Sequence, residues 1–131
     1  MKAPTMMRSF RSHPSVLYQI RQFVREHAND ASLSPDLVSD LLVAVTEACA
    51  NSMLHTTSPE IRLSWTVVDG CVEVEVLDDG VFRRRAPLPE VGGRGGHGIP
   101  LMMALVDEVT IQEGTLRHPG TRVRLVKCQG R

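Results

Sequence analysis

The sequence predicts an α+β fold, a two-layer sandwich in which a mainly antiparallel sheet carries helices on one face. Three observations predict it. Apolar residues recur at helical spacing in three segments, they alternate with polar residues in the strands, and the order is strand, two helices, hairpin, loop, helix, hairpin. The 131 residues, 42% of them apolar and 23% charged, suit one globular domain.

The first strand and two helices occupy the N-terminal part of the chain. A short strand is predicted around residues 7–11. Apolar residues at helical spacing then predict a helix over about residues 15–27: Val16, Leu17, Ile20, Phe23 and Val24. The second helix begins at residues 34–36, because a hydroxyl cap, a proline and an acid follow one another there. It ends at about residue 55, before a Thr-Thr-Ser-Pro segment.

Two strands with clear alternation follow, and they form a hairpin. Apolar residues occupy every second position over residues 61–67 and again over residues 72–76. Between the strands lies Asp69-Gly70, a dipeptide that tolerates positive φ at both turn positions. The sequence therefore predicts a type I′ turn.

A long loop separates this hairpin from the last elements. Residues 79–98 are rich in Gly, Pro and Arg, and a loop of this length is seldom kept without a function. A short helix is predicted over about residues 99–106. Two further strands, at residues 109–111 and 123–125, are separated by a turn that contains Pro119-Gly120.

Composition excludes several classes of protein. Fifteen basic and fifteen acidic residues cancel, which argues against direct nucleic-acid binding. No apolar run approaches the roughly 18 residues of a membrane helix, and no apolar signal core begins the chain. We therefore expect a cytoplasmic protein without a membrane partner.

The chain has three cysteines, an odd number with no CxxC pair: Cys49, Cys71 and Cys128. We expect all three to be reduced and structural.

Polar residues on the second helix form the first candidate site. Glu47, Asn51 and His55 are four residues apart, so they fall on one stripe of the helix among small neighbours. A carboxylate and an amide one turn apart can provide a proton acceptor and a Mg²⁺ ligand. Taken alone, such a pair is more often a solvent-side polar pair, and His55 suits the C-terminal end of a helix.

The second candidate is Asp78-Asp79-Gly80 at the end of a strand. An ionised carboxylate there can accept a hydrogen bond from an exocyclic amine such as that of adenine, and Gly80 allows a sharp turn close to a base. An ordinary acidic turn is the alternative. Thr121 can contact a ligand at the start of a strand, although β-propensity alone would also place it there.

The third candidate is the glycine-rich segment Gly-Gly-Arg-Gly-Gly-His-Gly at residues 92–98, which leads into a helix. Free backbone amides before a helix N-terminus can cradle a phosphate; a flexible linker is the alternative. The same loop contains three consecutive arginines, Arg83, Arg84 and Arg85. They can form a clamp that binds either phosphate or an acidic partner. The alternative is a solvated basic run, which is the commoner case.

Together and in this order, these elements resemble the Bergerat-fold ATPases, a superfamily that includes gyrase, the histidine kinases and MutL. The resemblance lies in Glu-Ala-Cys-Ala-Asn at 47–51, Asp-Asp-Gly at 78–80, Gly-His-Gly-Ile at 96–99 and Gly-Thr at 120–121. Residues 45–52 and 98–109 are most similar to the small bacterial anti-sigma factor serine/threonine kinases. The resemblance covers about residues 8–127, which implies a single ATPase domain over residues 1–131.

The resemblance implies ATP and Mg²⁺ as cofactors and a role for each motif. Asn51 would hold Mg²⁺ and the phosphates, and Glu47 would be the catalytic base that takes a proton from an attacking hydroxyl. Asp78 would bind the adenine amine, with Gly80 shaping the base pocket and Thr121 assisting beneath it. Three further cofactor-binding residues would belong to the phosphate-side lid: Gly96, His97 and Gly98.

Two functions are compatible with these residues. The first, which the resemblance implies, is an anti-sigma regulatory kinase that sequesters a sigma factor, phosphorylates a Ser or Thr of a STAS-type antagonist and forms a homodimer. The second is a catalytically degenerate partner-switching module with weak or no ATP binding. It is favoured by Phe82, which replaces the second glycine of Asp-x-Gly-x-Gly, so that its ring either stacks over the purine or fills its pocket.

Overall fold

The computed structural model describes residues 5–81 and 98–130. The described residues form five strands, three α-helices and one 3-10 turn: β1 Met6–Arg11, the 3-10 turn Pro14–Val16, α1 Leu17–Asp30, α2 Pro35–His55, β2 Glu60–Val68, β3 Cys71–Asp78, α3 Gly98–Leu105, β4 Glu108–Gln112 and β5 Thr121–Cys128. The strands make one antiparallel sheet in the order β1-β2-β3-β5-β4. The predicted α+β fold is confirmed.

The β2–β3 hairpin has the predicted turn. Asp69 and Gly70 have φ values of 49° and 80°, positive at both turn positions as a type I′ turn requires. The ladder runs from Val68 opposite Cys71 to Ile61 opposite Asp78. Because β3 lies between β2 and β5, the end of β3 is enclosed by strands on both sides.

The helices cover one face of the sheet and bury the core against it. The middle helix, α2, contributes seven buried residues: Leu37, Leu41, Ala44, Val45, Ala48, Cys49 and Ser52. An aromatic cluster joins α1 to the β1–β2 side, with ring centroids 6.1 Å apart for Phe10 and Phe23, and 5.9 Å apart for His27 and Trp65. On the opposite side α3 packs against α2 and β4. Nearly all the long apolar side chains of the alternating strands point into this layer.

Both ends of α1 differ from the prediction, whereas the start of α2 agrees with it. The predicted first turn of α1 is a 3-10 turn, in which His13 Nδ1 accepts a hydrogen bond from the Ser15 N–H. At its other end α1 continues to Asp30, since Ala28 is buried and holds this last turn against the core. Ser34 caps α2 by accepting a hydrogen bond from the Leu37 N–H.

The length and composition of α2 bear on the expectation that the chain has no membrane helix. At 21 residues, α2 is long and apolar enough to cross a membrane by these two criteria alone. Charged residues interrupt its apolar positions, so it contains no continuous apolar run of that length. In this fold α2 is the central core helix, and its buried face accounts for its apolar composition.

The expectation that all three cysteines are reduced is wrong for two of them. Cys71 and Cys128 form a disulfide between β3 and β5. They are 57 residues apart in the sequence, and only the antiparallel register of β3 with β5 places them opposite one another. Cys49 is free and fully buried on α2, where burial raises the pKa of its thiol, so the structural role predicted for it fits its position.

The uncovered face of the sheet carries ion pairs between neighbouring strands. Arg62 donates two hydrogen bonds to the Asp79 carboxylate, at 3.0 and 3.2 Å, and Arg124 lies 2.9 Å from Glu73. Donation by Arg62 lowers the pKa of Asp79 below its ordinary value. The ionised form of Asp79 is therefore the form that the folded protein favours.

A pH titration should detect this pair. We expect the stabilising contribution of Asp79 to be complete above about pH 3.9, the unfolded-state pKa, and to be lost as the pH falls through the lower folded-state pKa. The effect on stability should be small, because 68% of the Asp79 side chain is exposed. Carboxyl NMR should show Asp79 titrating at higher pH in Arg62→Gln; an unchanged midpoint would contradict the pairing.

Candidate functional site

A buried carboxylate marks the end of the central strand. Asp78 is the last residue of β3 and lies opposite Ile61 on β2 and Thr121 on β5. Only 3% of Asp78 and 4% of Thr121 is exposed. Two residues that the sequence predicts for one site, 43 positions apart in the numbering, are thus direct cross-strand neighbours.

Both oxygens of the Asp78 carboxylate are held by hydrogen-bond donors. The Gly80 N–H donates to Oδ1 at 2.9 Å, and the Ser52 hydroxyl on α2 donates to Oδ2 at 2.5 Å. These bonds fix the plane of the carboxylate. Each carboxylate oxygen has a second lone pair, so the group can still accept a hydrogen bond from a ligand amine.

Three glycines bring the adjoining loops into backbone contact. The Gly80 carbonyl accepts a hydrogen bond from the Gly120 N–H at 2.9 Å, and the Gly114 N–H donates to Thr121 Oγ1 at 3.0 Å. A Cβ at Gly80 would lie 2.7 Å from the Ser58 nitrogen, and a Cβ at Gly114 would lie 2.5 Å from the Gly80 oxygen. We name Gly80, Gly114 and Gly120 the glycine junction.

Substituting Gly114 tests how tightly the glycine junction is packed. We expect Gly114→Ala to destabilise the protein by roughly 1–3 kcal/mol, because the added methyl group meets backbone on two sides. Thermal unfolding would measure this as a fall of several degrees in Tm. Gly130→Ala is the control: a Cβ there meets nothing within 4 Å, although φ is +83°, so only the left-handed backbone is penalised. Equal shifts for the two variants would contradict close packing at Gly114.

The C-terminal half of α2 carries the other predicted polar residues. Asn51 precedes Ser52, whose hydroxyl reaches Asp78, so Asn51 lies at the same end of the sheet as Asp78. Glu47 is one turn earlier, about 6 Å along the helix axis. Both side chains are half-buried. Asp40 lies on the same stripe, nearer the start of α2, and pairs with Lys127 of β5 at 3.4 Å.

A surface cavity adjoins Glu47. It has a volume of about 190 Å³ and lies between α1 and α2, with five lining residues: Arg21, Leu42, Val43, Thr46 and Glu47. Glu47 therefore borders a cavity open to solvent, and Arg21 brings a positive charge to the same cavity. This arrangement can receive a polar group of another molecule beside Glu47.

The rest of the predicted site falls on other parts of the chain. Gly98 is the first residue of α3. The remaining loop residues of the prediction lie outside the described residues: Phe82, Arg83, Arg84, Arg85, Gly96 and His97. His55 is the last residue of α2, at the helix C-terminus where the sequence predicts it. Within the ranges 5–81 and 98–130, no three His, Cys, Asp or Glu residues cluster as a metal site.

Sequence reasoning missed Ser52 and Gly114. A sign of Ser52 was present: it lies four and eight residues after Ala48 and Ala44, on the buried stripe of α2, where a polar side chain needs a partner. Gly114 had no comparable sign, because a glycine in a polar turn needs no tertiary reason to be there.

Comparison with known proteins places the chain in a family. Residues 10–127 match the family model of the histidine kinase-like ATPase domain. The chain is 28% identical over 132 aligned positions to the serine-protein kinase RsbW of Bacillus subtilis, covering 88% of this chain and 80% of that protein. It is 30% identical over 112 positions to the anti-sigma F factor of Clostridium botulinum, covering 74% and 76%.

Solved structures share the fold. The structure of the RsbU and RsbW domains of Rv1364c from Mycobacterium tuberculosis superposes with a TM-score of 0.76 at 19% identity. The match covers 98% of this chain, which spans a third (33%) of that longer chain. The histidine kinase domain of Erythrobacter litoralis EL346 gives a TM-score of 0.57 at 19% identity, over 88% of this chain and 60% of that one. The chain therefore belongs to the histidine kinase-like ATPase domain family, with RsbW kinases and anti-sigma F factors among its relatives.

Proposed function

We propose that this protein is an ATP-dependent serine/threonine kinase that acts as an anti-sigma factor, with residues 1–131 forming a single ATPase domain. The observation that carries the proposal is the buried Asp78 carboxylate, held by Ser52 and Gly80 and flanked by Thr121, at the end of the helix that bears Glu47 and Asn51. The names of the relatives, a serine-protein kinase and an anti-sigma F factor, support the same function.

The chemistry of Asp78 fits the adenine of ATP. An acceptor-only group suits the exocyclic amine of adenine and disfavours guanine, which carries a carbonyl oxygen at the equivalent position. Thr121 adds a hydroxyl beside the carboxylate. The fixed orientation of Asp78 means that little conformational freedom is lost when the base binds.

Asn51 is the residue that we assign to Mg²⁺ and the phosphates. Its amide oxygen is a hard ligand, and a Mg²⁺ ion that also binds nucleotide phosphates needs only one or two protein ligands. Bound Mg²⁺·ATP supplies the transferable phosphoryl group and neutralises charge during transfer. We assign Gly96, His97 and Gly98 to the phosphate-side lid.

Glu47 is the residue that we assign as catalytic base. Its carboxylate lines the cavity between α1 and α2, so the serine or threonine hydroxyl of a protein substrate can approach it from solvent. Glu47 accepts the proton that this hydroxyl loses when the phosphoryl group is transferred to it from ATP, with ADP as the leaving group. Arg21, on the opposite wall, can bind an acidic or carbonyl group of the substrate and orient it.

The partners that we propose follow the relatives. The protein sequesters a sigma factor and phosphorylates a small STAS-type antagonist. It acts as a homodimer in the cytoplasm.

Calorimetric titration with ATP and Mg²⁺ tests the first step of this function, which is nucleotide binding. We expect saturable binding of ATP, with GTP binding at least tenfold weaker. Absence of binding at millimolar ATP and Mg²⁺ would overturn the kinase and leave a degenerate partner-switching module. Transfer of labelled phosphate to the antagonist tests the second step.

A further inference from the structure

The Cys71–Cys128 disulfide lies far from the site described above. It joins β3 and β5 at the end that carries the Asp69-Gly70 turn, seven ladder positions from the pair of Asp78 with Thr121. Seven residues of strand span roughly 23 Å. The bond is on the face of the sheet that no helix covers, since the neighbouring positions on the same face include the ion pair of Glu73 with Arg124. Small molecules can reach Cys71, which is only half-buried.

Hydrogen bonds connect the residues at this disulfide to three other parts of the fold. The Cys128 N–H donates to Asp107 Oδ2 at 2.7 Å, just after α3. The Gln129 N–H donates to the Gly70 carbonyl at 3.0 Å, in the hairpin turn. Gln129 Oε1 accepts a hydrogen bond from the Ser34 N–H at 2.9 Å, at the N-cap of α2. The end of β5 therefore connects the hairpin turn, the end of α3 and the start of α2.

The core and the β3–β5 ladder both extend well beyond this bond. One continuous core joins the helices to the sheet, and the β3–β5 ladder continues for seven further pairs, from Val72 opposite Lys127 to Asp78 opposite Thr121. A domain of this size buries enough surface to fold without a covalent staple. Hence, when the bond is reduced, the ladder still holds the two sulfurs opposite one another, ready to re-form it.

We propose that Cys71 and Cys128 are a redox modification site, at which exchange with small-molecule thiols and disulfides sets how firmly the end of β5 is held. In reduction, two thiol molecules of the glutathione type convert the protein disulfide to two cysteine thiols and are themselves joined as one disulfide. In oxidation, a small-molecule disulfide accepts the two electrons and yields two thiols, while the protein bond re-forms. Cys49 takes no part, because it is fully buried.

Native-state alkylation tests the site directly. The oxidised full-length protein should take up no label under native conditions. After treatment with millimolar reduced glutathione, the protein should take up two labels, at Cys71 and Cys128. A reduced sample that is then treated with oxidised glutathione, before any label is added, should take up none. Cys49 should be labelled only in denaturant. Cys49→Ala should behave like the wild type, whereas Cys71→Ser should take up one label, at Cys128, with or without reduced glutathione.

Hydrogen exchange tests the structural consequence. On reduction, we expect exchange at the amides of Ser34, Cys128 and Gln129 to accelerate at least tenfold, and exchange at Gly80 and Gly120 to stay within twofold. Cys71→Ser should show the fast pattern with or without reductant. No disulfide after treatment with oxidised glutathione, unchanged exchange at Gln129, or loss of protection throughout the chain would each overturn the proposal. None of these measurements involves ATP, so their outcome is independent of the proposed kinase.

Discussion

Replacing Glu47 with Gln should lower phosphate transfer to a protein substrate by a factor of about 100 or more and leave ATP affinity within about twofold. The glutamine has nearly the same shape but cannot accept the hydroxyl proton, and general bases typically contribute 10² to 10⁴ in rate. Single-turnover transfer of labelled phosphate gives the rate, and calorimetry gives the affinity. Glu47 is half-buried at the cavity rim, so the fold should tolerate the change.

Asp40 provides a matched control for Glu47. It is another acidic residue on the same stripe of α2, two turns closer to the N-terminus, and it pairs with Lys127. Asp40→Asn should therefore leave the transfer rate unchanged, and any effect should be confined to stability. If Glu47→Gln lost ATP binding and transfer to the same extent, Glu47 would belong to the nucleotide pocket and the base would have to be another residue.

Replacing Asp78 with Asn should weaken ATP binding at least about 100-fold. The substitution puts an amide in place of a carboxylate, and at one of the two oxygen positions an acceptor becomes a donor. At the Oδ1 position that donor would face the Gly80 N–H, and at the Oδ2 position it would replace the acceptor that the Ser52 hydroxyl uses, so one of the two hydrogen bonds that orient the group is disrupted. ATP affinity by calorimetry, together with Tm to confirm folding, measures the effect.

Two variants at neighbouring residues serve as comparisons for the loss of ATP affinity in Asp78→Asn. Asp79→Asn alters an exposed carboxylate that pairs with Arg62, and it should leave ATP affinity unchanged. Ser52→Ala removes one of the two donors to Asp78 and should reduce affinity by about 5- to 10-fold, the value of one hydrogen bond. If Asp78→Asn bound ATP as the wild type does, the adenine assignment would fail.

Local chemistry made much of the fold predictable. Positive φ at Asp69 and Gly70, the Ser34 cap and the alternation of β2 and β3 depend on residues close in sequence, and the structure has each of them. The β3–β5 pairing depends instead on a contact across the whole loop and α3. No local pattern encodes that pairing, which is why the Cys71–Cys128 bond was not foreseen.

In the candidate site, too, some residues could be predicted from the sequence and others could not. Asp78 and Thr121 were singled out from their positions at strand ends, and the sheet register brings them together. Ser52 and Gly114 were not, because their importance depends on which groups face them after folding: the Asp78 carboxylate and the Gly80 carbonyl. The functional roles of Glu47, Asn51, Asp78, Gly80 and Thr121 stay predictions until the variants are measured.

The position of β5 has a consequence for synthesis on the ribosome. Among the described strands β5 comes last along the chain, yet it lies inside the sheet, between β3 and β4. While the nascent chain lacks β5, the inner edge of β3 has no partner, and Thr121 is not beside Asp78. The β2–β3 hairpin can assemble early because its contacts are local, whereas insertion of β5 must wait. A partly translated chain can therefore have a hairpin and helices, but the end of the sheet that carries Asp78 and Thr121 is completed only when β5 emerges.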